Sequence, residues 1–269
     1  MQKDIYQGGV WPKDFLQSVL VPLEKKKNAF RCEDFRTISL ISHASKVVLR
    51  ILARRLEKKS EEYMGNDQFG FRKERGTRDA IGVVRCLAER RMEFNEDMFV
   101  CFVDYEKAFD RVNWKKLMEV LIRIGVDWRD RRLIASLYME QSAVVRVNDE
   151  VTESSEIGRG VRQGCLISPL LFNIYAEAMM REALYDVEDG VKVGGEVLNA
   201  VRFADDQAMI AGTEEGLQRI MDNTVRVVES YGMKINTKKT KVMRISRVPS
   251  AVSLMIQGIQ IEQVDEFKY

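Results

Sequence analysis

Hydrophobic positions in this chain switch repeatedly between the strand period and the helix period, and the switches lay out its elements. Phe15–Leu23 reads as a strand ending near Pro22, Glu24–Asn28 as a basic turn, and Phe35–Ile41 as a second, weakly alternating strand. From Ser45 to about Glu62, Val48, Ile51, Leu52 and Leu56 recur at helical spacing. Gly65–Arg72 is a glycine-punctuated loop. Thr77 is a fitting N-cap for a helix through Arg91, with Ile81, Val84 and Leu87/Ala88 as its apolar stripe. Met98–Val103 is a continuous apolar run of strand length, which predicts a buried central strand, and it ends at Asp104.

A helix carrying Trp114, Leu117 and Leu121 follows and closes at Gly125; another spans Trp128–Met139. Ala143–Thr152 has a hairpin pattern with Asn148-Asp149 at its turn. After the loop Gly158–Cys165, Ser168-Pro169 opens a helix as N-cap and first-turn proline, with a stripe of Leu171, Ile174, Tyr175, Ala178 and Met179. Gly194-Gly195 marks a turn. Thr213 caps a helix bearing Leu217, Ile220, Met221, Val225 and Val228, which Gly232 ends. Met233–Asn236 and Val242–Ile245 read as short strands around a basic turn, and Leu254–Tyr269 holds a further weak strand pattern.

Between the last two helices lies Val201–Ile210, apolar at both ends with Asp205-Asp206 in the middle. Asp is poor in strands and good in turns, so the stretch predicts a tight hairpin with both carboxylates at its tip. Adjacent like charges repel unless something positive lies beside them. A divalent metal suits carboxylate oxygens; a solvated Asp-Asp turn is the simpler reading. Asp104 supplies a third carboxylate, at the end of a buried strand where an ionised group needs a partner. A strand end beside a hairpin tip in one antiparallel sheet would gather all three. Paired divalent ions bridged by such carboxylates are an apparatus for nucleotidyl transfer.

Composition narrows the field. With 269 residues, 45% hydrophobic and 31% charged, the chain can form one large domain or two smaller ones with a real core. It has no apolar run near the roughly 18 residues needed to span a bilayer, so no membrane is expected. Its N-terminus has no apolar leader, and its four cysteines are scattered. Both point to an intracellular protein without a disulfide framework. A single histidine, His43, excludes His-rich metal sites and reads as an ordinary loop or helix-start residue. Net charge is only +2, but Lys46–Lys59 and Lys234–Arg247 are locally basic. Such stripes suit a groove that grips a polyanion; solvated helix faces are the alternative.

The motifs together resemble the reverse transcriptases of non-LTR (LINE-like) retrotransposons. Phe102-Val103-Asp104-Tyr105-Glu106-Lys107-Ala108-Phe109-Asp110 is similar to the family's first catalytic motif. Gln163-Gly164-Cys165-Leu166-Ile167-Ser168-Pro169-Leu170-Leu171-Phe172-Asn173 is similar to its loop-helix motif, and Phe203-Ala204-Asp205-Asp206 to its catalytic hairpin. Phe35–Leu40 and Gln68–Arg72 are similar to fingers motifs, and Gly232–Lys241 to the motif after the hairpin. Leu166-Ile167 and Thr37 depart from the family's usual residues, away from any expected metal ligand.

The resemblance implies an α+β right-hand polymerase fold with an antiparallel palm sheet backed by helices. Fingers are expected over residues 1–97, returning at about 125–160, and palm over 98–269. It implies RNA-directed DNA polymerase activity on an RNA template, with a DNA or RNA primer and dNTPs. Two Mg²⁺ ions, replaceable by Mn²⁺, are expected on Asp104, Asp205 and Asp206, with Asp104 and Asp205 as direct ligands and Asp206 more peripheral. Phe109 is implied to exclude a 2′-hydroxyl, or else is a core aromatic. Gln163 and Gly164 are implied to contact nucleotide and template, or Gly164 serves a tight loop. Arg36, helped by Lys25 or Lys26, is implied to bind triphosphate, and Lys239 to assist pyrophosphate. The chain ends inside what resembles the primer-grip motif, so a thumb is expected to be absent. A truncated product that binds nucleic acid without processive synthesis is the rival expectation, and an RNA-templated RNA polymerase a weaker one. Nucleus and cytoplasm both suit a retroelement product.

Overall fold

The computed structural model describes residues 2–148, 150–248 and 250–267. Asp149, at the expected turn of the Ala143–Thr152 hairpin, and Lys268 and Tyr269 lie outside the described residues. The helices are α1 (Gln2–Gly8), α2 (Lys13–Leu16), α3 (His43–Tyr63), α4 (Thr77–Glu93), α5 (Ala108–Arg111), α6 (Trp114–Arg123), α7 (Trp128–Met139), α8 (Ser168–Ala183) and α9 (Glu214–Ser230). The strands are β1 (Gln17–Glu24), β2 (Phe35–Leu40), β3 (Met98–Val103), β4 (Ser142–Val147), β5 (Glu150–Val151), β6 (Ser155–Glu156), β7 (Val191–Val193), β8 (Glu196–Leu198), β9 (Ala200–Phe203), β10 (Asp206–Ala211), β11 (Lys241–Ile245), β12 (Met255–Ile256), β13 (Ile259–Gln260) and β14 (Glu262–Gln263). They divide into two compact units, each made of two stretches of chain: Met1–Tyr63 with Phe109–Tyr175, and Met64–Ala108 with Ala176–Tyr269.

In the first unit the sheet order is β2-β1-β4-β5, with β6 also on β4. The β1–β2 hairpin is antiparallel, whereas β1 and β4 are parallel from Gln17↔Ser142 to Leu20↔Val145. That parallel pairing stops before Pro22, whose nitrogen has no hydrogen to give a ladder. His43 opens α3, which buries Val48, Leu49, Leu52 and Leu56, while Ile51 is exposed. Arg162 is buried under the β1 end, donating to the Phe15 and Leu16 carbonyls and to Gln141 at 2.7–3.0 Å.

The second unit is built on a sheet of order β14-β11-β3-β10-β9. All its pairings are antiparallel except β11–β14 at one edge. β3 is central and nearly wholly buried, as its unbroken apolar run requires. Met98 and Val100 of β3, with Ala208 and Ile210 of β10, pack with Ala80 and Leu87 of α4. α9 lies against β10 and β3, burying Leu217, Ile220, Met221 and Val228. Thr213 caps α9, accepting the Gly216 N–H at 3.0 Å. Among the described residues no helix is long and apolar enough to cross a membrane.

Several boundaries differ from the sequence reading. The first compact unit ends at Tyr63 and resumes over 109–175, and α4 joins the core of the second sheet. The N-cap of α4 is Gly76, whose N–H the Asp79 carboxylate accepts at 2.7 Å; Thr77 is the first helical residue. Met233–Asn236 forms no strand of its own. Ile235 bridges Tyr105 singly, and β11 pairs with β3 instead.

Candidate active site

Asp104 follows directly on β3, and Asp206 opens β10. Carrying the register Gln207↔Val103 one residue on sets the two aspartates beside each other. The hairpin loop is Ala204-Asp205 alone, since Asp206 already pairs with Phe203. Only Asp205 therefore stands in the turn, not both carboxylates. Ala204 holds a positive φ of 58°, as the first loop position of the tight hairpin turns does.

Asp104, Asp206 and Lys239 line one cavity of about 280 Å³, with Val103, Gln207 and the stacked pair Phe102–Phe267. The cavity wall carries Asp206 rather than Asp205. Lys239 Nζ is 3.9 Å from Asp104 Oδ2. The Asp104 backbone is fixed on both sides: its N–H donates to Thr240 Oγ1 at 3.3 Å, and its carbonyl accepts the Asn236 N–H at 2.8 Å. Burial pushes the Asp104 carboxyl above the usual carboxylate range, against the opposing pull of Lys239 and a hydrogen bond from the Asn236 side chain. Asp206 is exposed as a residue, yet its carboxyl is raised to about 6. Desolvation against the cavity wall is the main cause, followed by the charges of Asp205 and Asp104.

That shift has a sign that can be tested. The folded protein holds the Asp206 proton up to about pH 6, against an ordinary value of 3.8. Ionising Asp206 above that point therefore weakens the fold. Metal-free Asp206→Asn is expected to melt above wild type near neutral pH. The gap should narrow as pH falls through about 6 and close near pH 4. A gap independent of pH contradicts the assigned cause.

The donor set fits a hard divalent cation. Asp104 Oδ1 is buried without a hydrogen-bond partner, and the charges of Asp205 and Asp104 raise the proton affinity of Asp206. Among the described residues, no three or more His, Cys, Asp or Glu side chains are arranged to hold a metal ion by themselves. Two facing carboxylates, completed by phosphate oxygens and water, are what Mg²⁺ ordinarily takes; an all-protein cage is not required.

The other expected site residues lie in the first unit. Gln163 donates from Nε2 to Asp110 Oδ1 at 2.9 Å, and its carbonyl accepts the Ser39 N–H at 2.9 Å. Gly164 has φ +93°, and an added Cβ would stand 3.3 Å from Ile38 and from the Ser39 carbonyl, so this loop against β2 requires glycine. Phe109 stacks on Phe172, with centroids 4.7 Å apart. Arg36 is exposed on β2. Lys26 is engaged by Asp34 at 2.7 Å, which holds the Asp34 carboxyl down at about 2.

Beneath the hairpin lies a polar network that sequence patterning did not single out. Arg202 of β9, only 3% exposed, pairs with Asp67 at 2.6 Å and with Glu177 of α8 at 2.8 Å. Tyr105 donates to Gln207 at 3.0 Å, tying together the residues that follow Asp104 and Asp206. Gln68 accepts the N–H of Ala204 at 2.9 Å and of Gly70 at 2.8 Å. Gln68–Arg72 was recognisable as a motif, but its place beside the hairpin rests on contacts far apart in the chain.

The architecture is that of the polymerase fingers and palm. The apo telomerase of Candida tropicalis, truncated of its C-terminal domain, superposes with a TM-score of 0.65 at 14% identity, over 97% of this chain and 57% of that one. The Candida albicans telomerase, solved with a fragment of telomeric RNA, gives a TM-score of 0.61 at 14% identity, over 96% and 46%. The sequence profile described as reverse transcriptase (RNA-dependent DNA polymerase) matches residues 24–269, and the chain belongs to that family. Among its relatives are the retrovirus-related Pol polyprotein of the type-2 retrotransposable element R2DM and the RNA-directed DNA polymerase of the mobile element jockey, both from Drosophila melanogaster. The first is 28% identical over 94% of this chain and 24% of its own length; the second is 25% identical over 97% and 29%. The chain thus spans about a quarter of the curated relatives it matches. They mark it as a reverse transcriptase domain of the non-LTR retrotransposon type. The family generally uses divalent metal ions.

Proposed function

We propose that this chain carries template-directed DNA synthesis on RNA, with fingers over residues 1–97, returning at about 125–160, and palm over 98–269. The observation that carries the reading is the meeting of Asp104 and Asp206 on neighbouring strands, in one cavity with Lys239. Asp104, Asp205 and Asp206 would hold two Mg²⁺ ions. When bound, such ions lower the pKa of a primer 3′-hydroxyl and neutralise the charge of leaving pyrophosphate. The primer 3′-oxygen attacks the α-phosphate of a dNTP in line, and the bond to pyrophosphate breaks. The chain's part is to fix the carboxylates on a rigid sheet and exclude alternative geometries. Lys239 would accompany the leaving phosphates, and Arg36 would contact the triphosphate, since Arg binds phosphate in a fork.

Phe109 serves as the steric filter against a 2′-hydroxyl, its ring held in one plane by the stack on Phe172. The test is primer extension on an RNA template with Mg²⁺ and either dNTPs or ribonucleotides. Wild type is expected to extend with dNTPs. Phe109→Ala is expected to gain ribonucleotide incorporation by about tenfold or more, the scale of relieving roughly 1–3 kcal/mol of steric exclusion. Unchanged discrimination removes the filter role. Duplex binding without extension by wild type supports the rival reading, a nucleic-acid-binding product that does not synthesise.

A further inference from the structure

We infer that Gln68 is a positioning residue for the aspartate hairpin. It rests on the reading of Asp205 and Asp206 as site carboxylates. Ala204 carries a side chain yet sits at φ 58°, a region that costs an L-residue about 1–2 kcal/mol. Such strain persists only where surrounding structure enforces it. The two-residue turn calls for that φ, and the Gln68 side-chain amide, which is fully buried, holds the turn in place. Its Oε1 accepts the Ala204 N–H at 2.9 Å and the Gly70 N–H at 2.8 Å, so two donors converge on one oxygen and fix the amide's orientation.

The segment that presents Gln68 is itself immobilised against β9. Phe69 N–H donates to the Arg202 carbonyl, and Arg202 N–H to the Asp67 carbonyl, both at 2.8 Å. Arg72 closes the loop from within, donating to the Gly65 and Gln68 carbonyls at 2.6 and 2.9 Å. Gly70 completes the fit: a Cβ there would stand 2.4 Å from the Ala204 nitrogen and 2.9 Å from the Phe203 carbonyl carbon. The bracket therefore touches the turn's backbone, one residue before Asp205, and no substrate group is needed to explain its geometry. Gln68 acts through the hairpin: it holds the turn that carries Asp205 and leads into Asp206 on β10.

The experiment compares wild type, Gln68→Met, which keeps the length without the acceptor, and Gln68→Glu, which keeps the acceptor. Amide exchange at Ala204 is read on the metal-free protein, and single-nucleotide addition across a Mg²⁺ titration is read separately. Gln68→Met is expected to lose protection at Ala204 while α9 and β3 stay protected. It is also expected to lower kcat and weaken the apparent Mg²⁺ affinity by about 10–100-fold, with the KM for dNTP within about twofold. Gln68→Glu is expected to keep the Ala204 protection. Wild-type protection at Ala204 in Gln68→Met overturns the inference, as does its loss in Gln68→Glu. If Gln68→Met fails to fold, protection in Gln68→Glu decides the matter alone. Wild type that adds no nucleotide would end the polymerase reading, and amide exchange would still decide the role of Gln68. An unchanged kcat in Gln68→Met beside an active wild type ends the positioning role and leaves the polymerase reading standing.

Discussion

Asp104→Asn is expected to lower single-nucleotide addition by about 10³-fold or more, without lowering the melting temperature of the metal-free protein. The two halves of the expectation have one cause. Asp104 leaves the end of a buried strand, with its Oδ1 buried and unpartnered and its carboxyl raised above the ordinary range by burial. A site arranged this way is unfavourable for the empty protein and favourable for a bound cation. Neutralising Asp104 relieves the repulsion on Asp206, so the fold gains or is indifferent. The same change removes a ligand from the reacting centre. About 4 kcal/mol of lost transition-state stabilisation corresponds to roughly 10³ in rate. A variant that keeps near-wild-type addition, or that melts well below wild type, contradicts this assignment.

The second large effect concerns stability. Arg202→Met is expected to destabilise the protein by about 3–5 kcal/mol, because it takes from the buried Glu177 and from Asp67 the guanidinium they share. Glu177 is 1% exposed, and it meets Arg202, Arg181 and the Gly65 N–H. Burial works to lower the Arg202 pKa, but Asp67 and Glu177 together hold it above its usual value, so the guanidinium stays charged. For a chain of this size the loss corresponds to a fall in melting temperature of roughly 6–20 °C. The double variant Arg202→Met, Glu177→Met should recover most of it, since two apolar side chains of similar length replace a buried pair at little net cost. Thermal melts of the two single variants and the double variant measure the coupling. Equal losses in the single and double variants would mean that the network is not acting through charge.

How far the fold could be read from sequence depends on where each signal resides. Met98–Val103 was legible because a strand buried on both faces needs an unbroken apolar run. Trp128–Met139 and the Thr213 cap were legible because helix signals are local. The parallel pairing of β1 with β4 was not, since nothing near Gln17 or Ser142 records the other. The pattern placed Ile51 and Ile81 on core faces, but both are exposed; Leu49 and Ala80 are buried instead. Periodicity gives a stripe, and packing chooses its edge. Met233–Asn236 alternates like a strand, yet its backbone serves Asp104 and Glu106 through single hydrogen bonds, Asn236 N–H to the Asp104 carbonyl and Glu106 N–H to the Lys234 carbonyl.

The candidate site divides in the same way. The three aspartates stood out because carboxylates beside apolar strands carry a cost that demands a reason. Their order did not: both were expected at the hairpin tip, whereas Asp206 belongs to β10 and lines the cavity while Asp205 turns the chain. Gln68, Asp67 and Glu177 carry no such signal. A buried Gln or Glu looks like a surface residue until its partner is known, and here each partner lies on a distant segment.

These carboxylates are proposed to hold divalent ions for nucleotidyl transfer. The most direct measurement is Mn²⁺ binding followed by electron paramagnetic resonance, on wild type and Asp104→Asn, with an RNA template, a 3′-terminated primer and the matching dNTP. A pair of ions is expected per wild-type chain in the ternary complex, and loss of at least one in Asp104→Asn. Equal occupancy in the two proteins would contradict it.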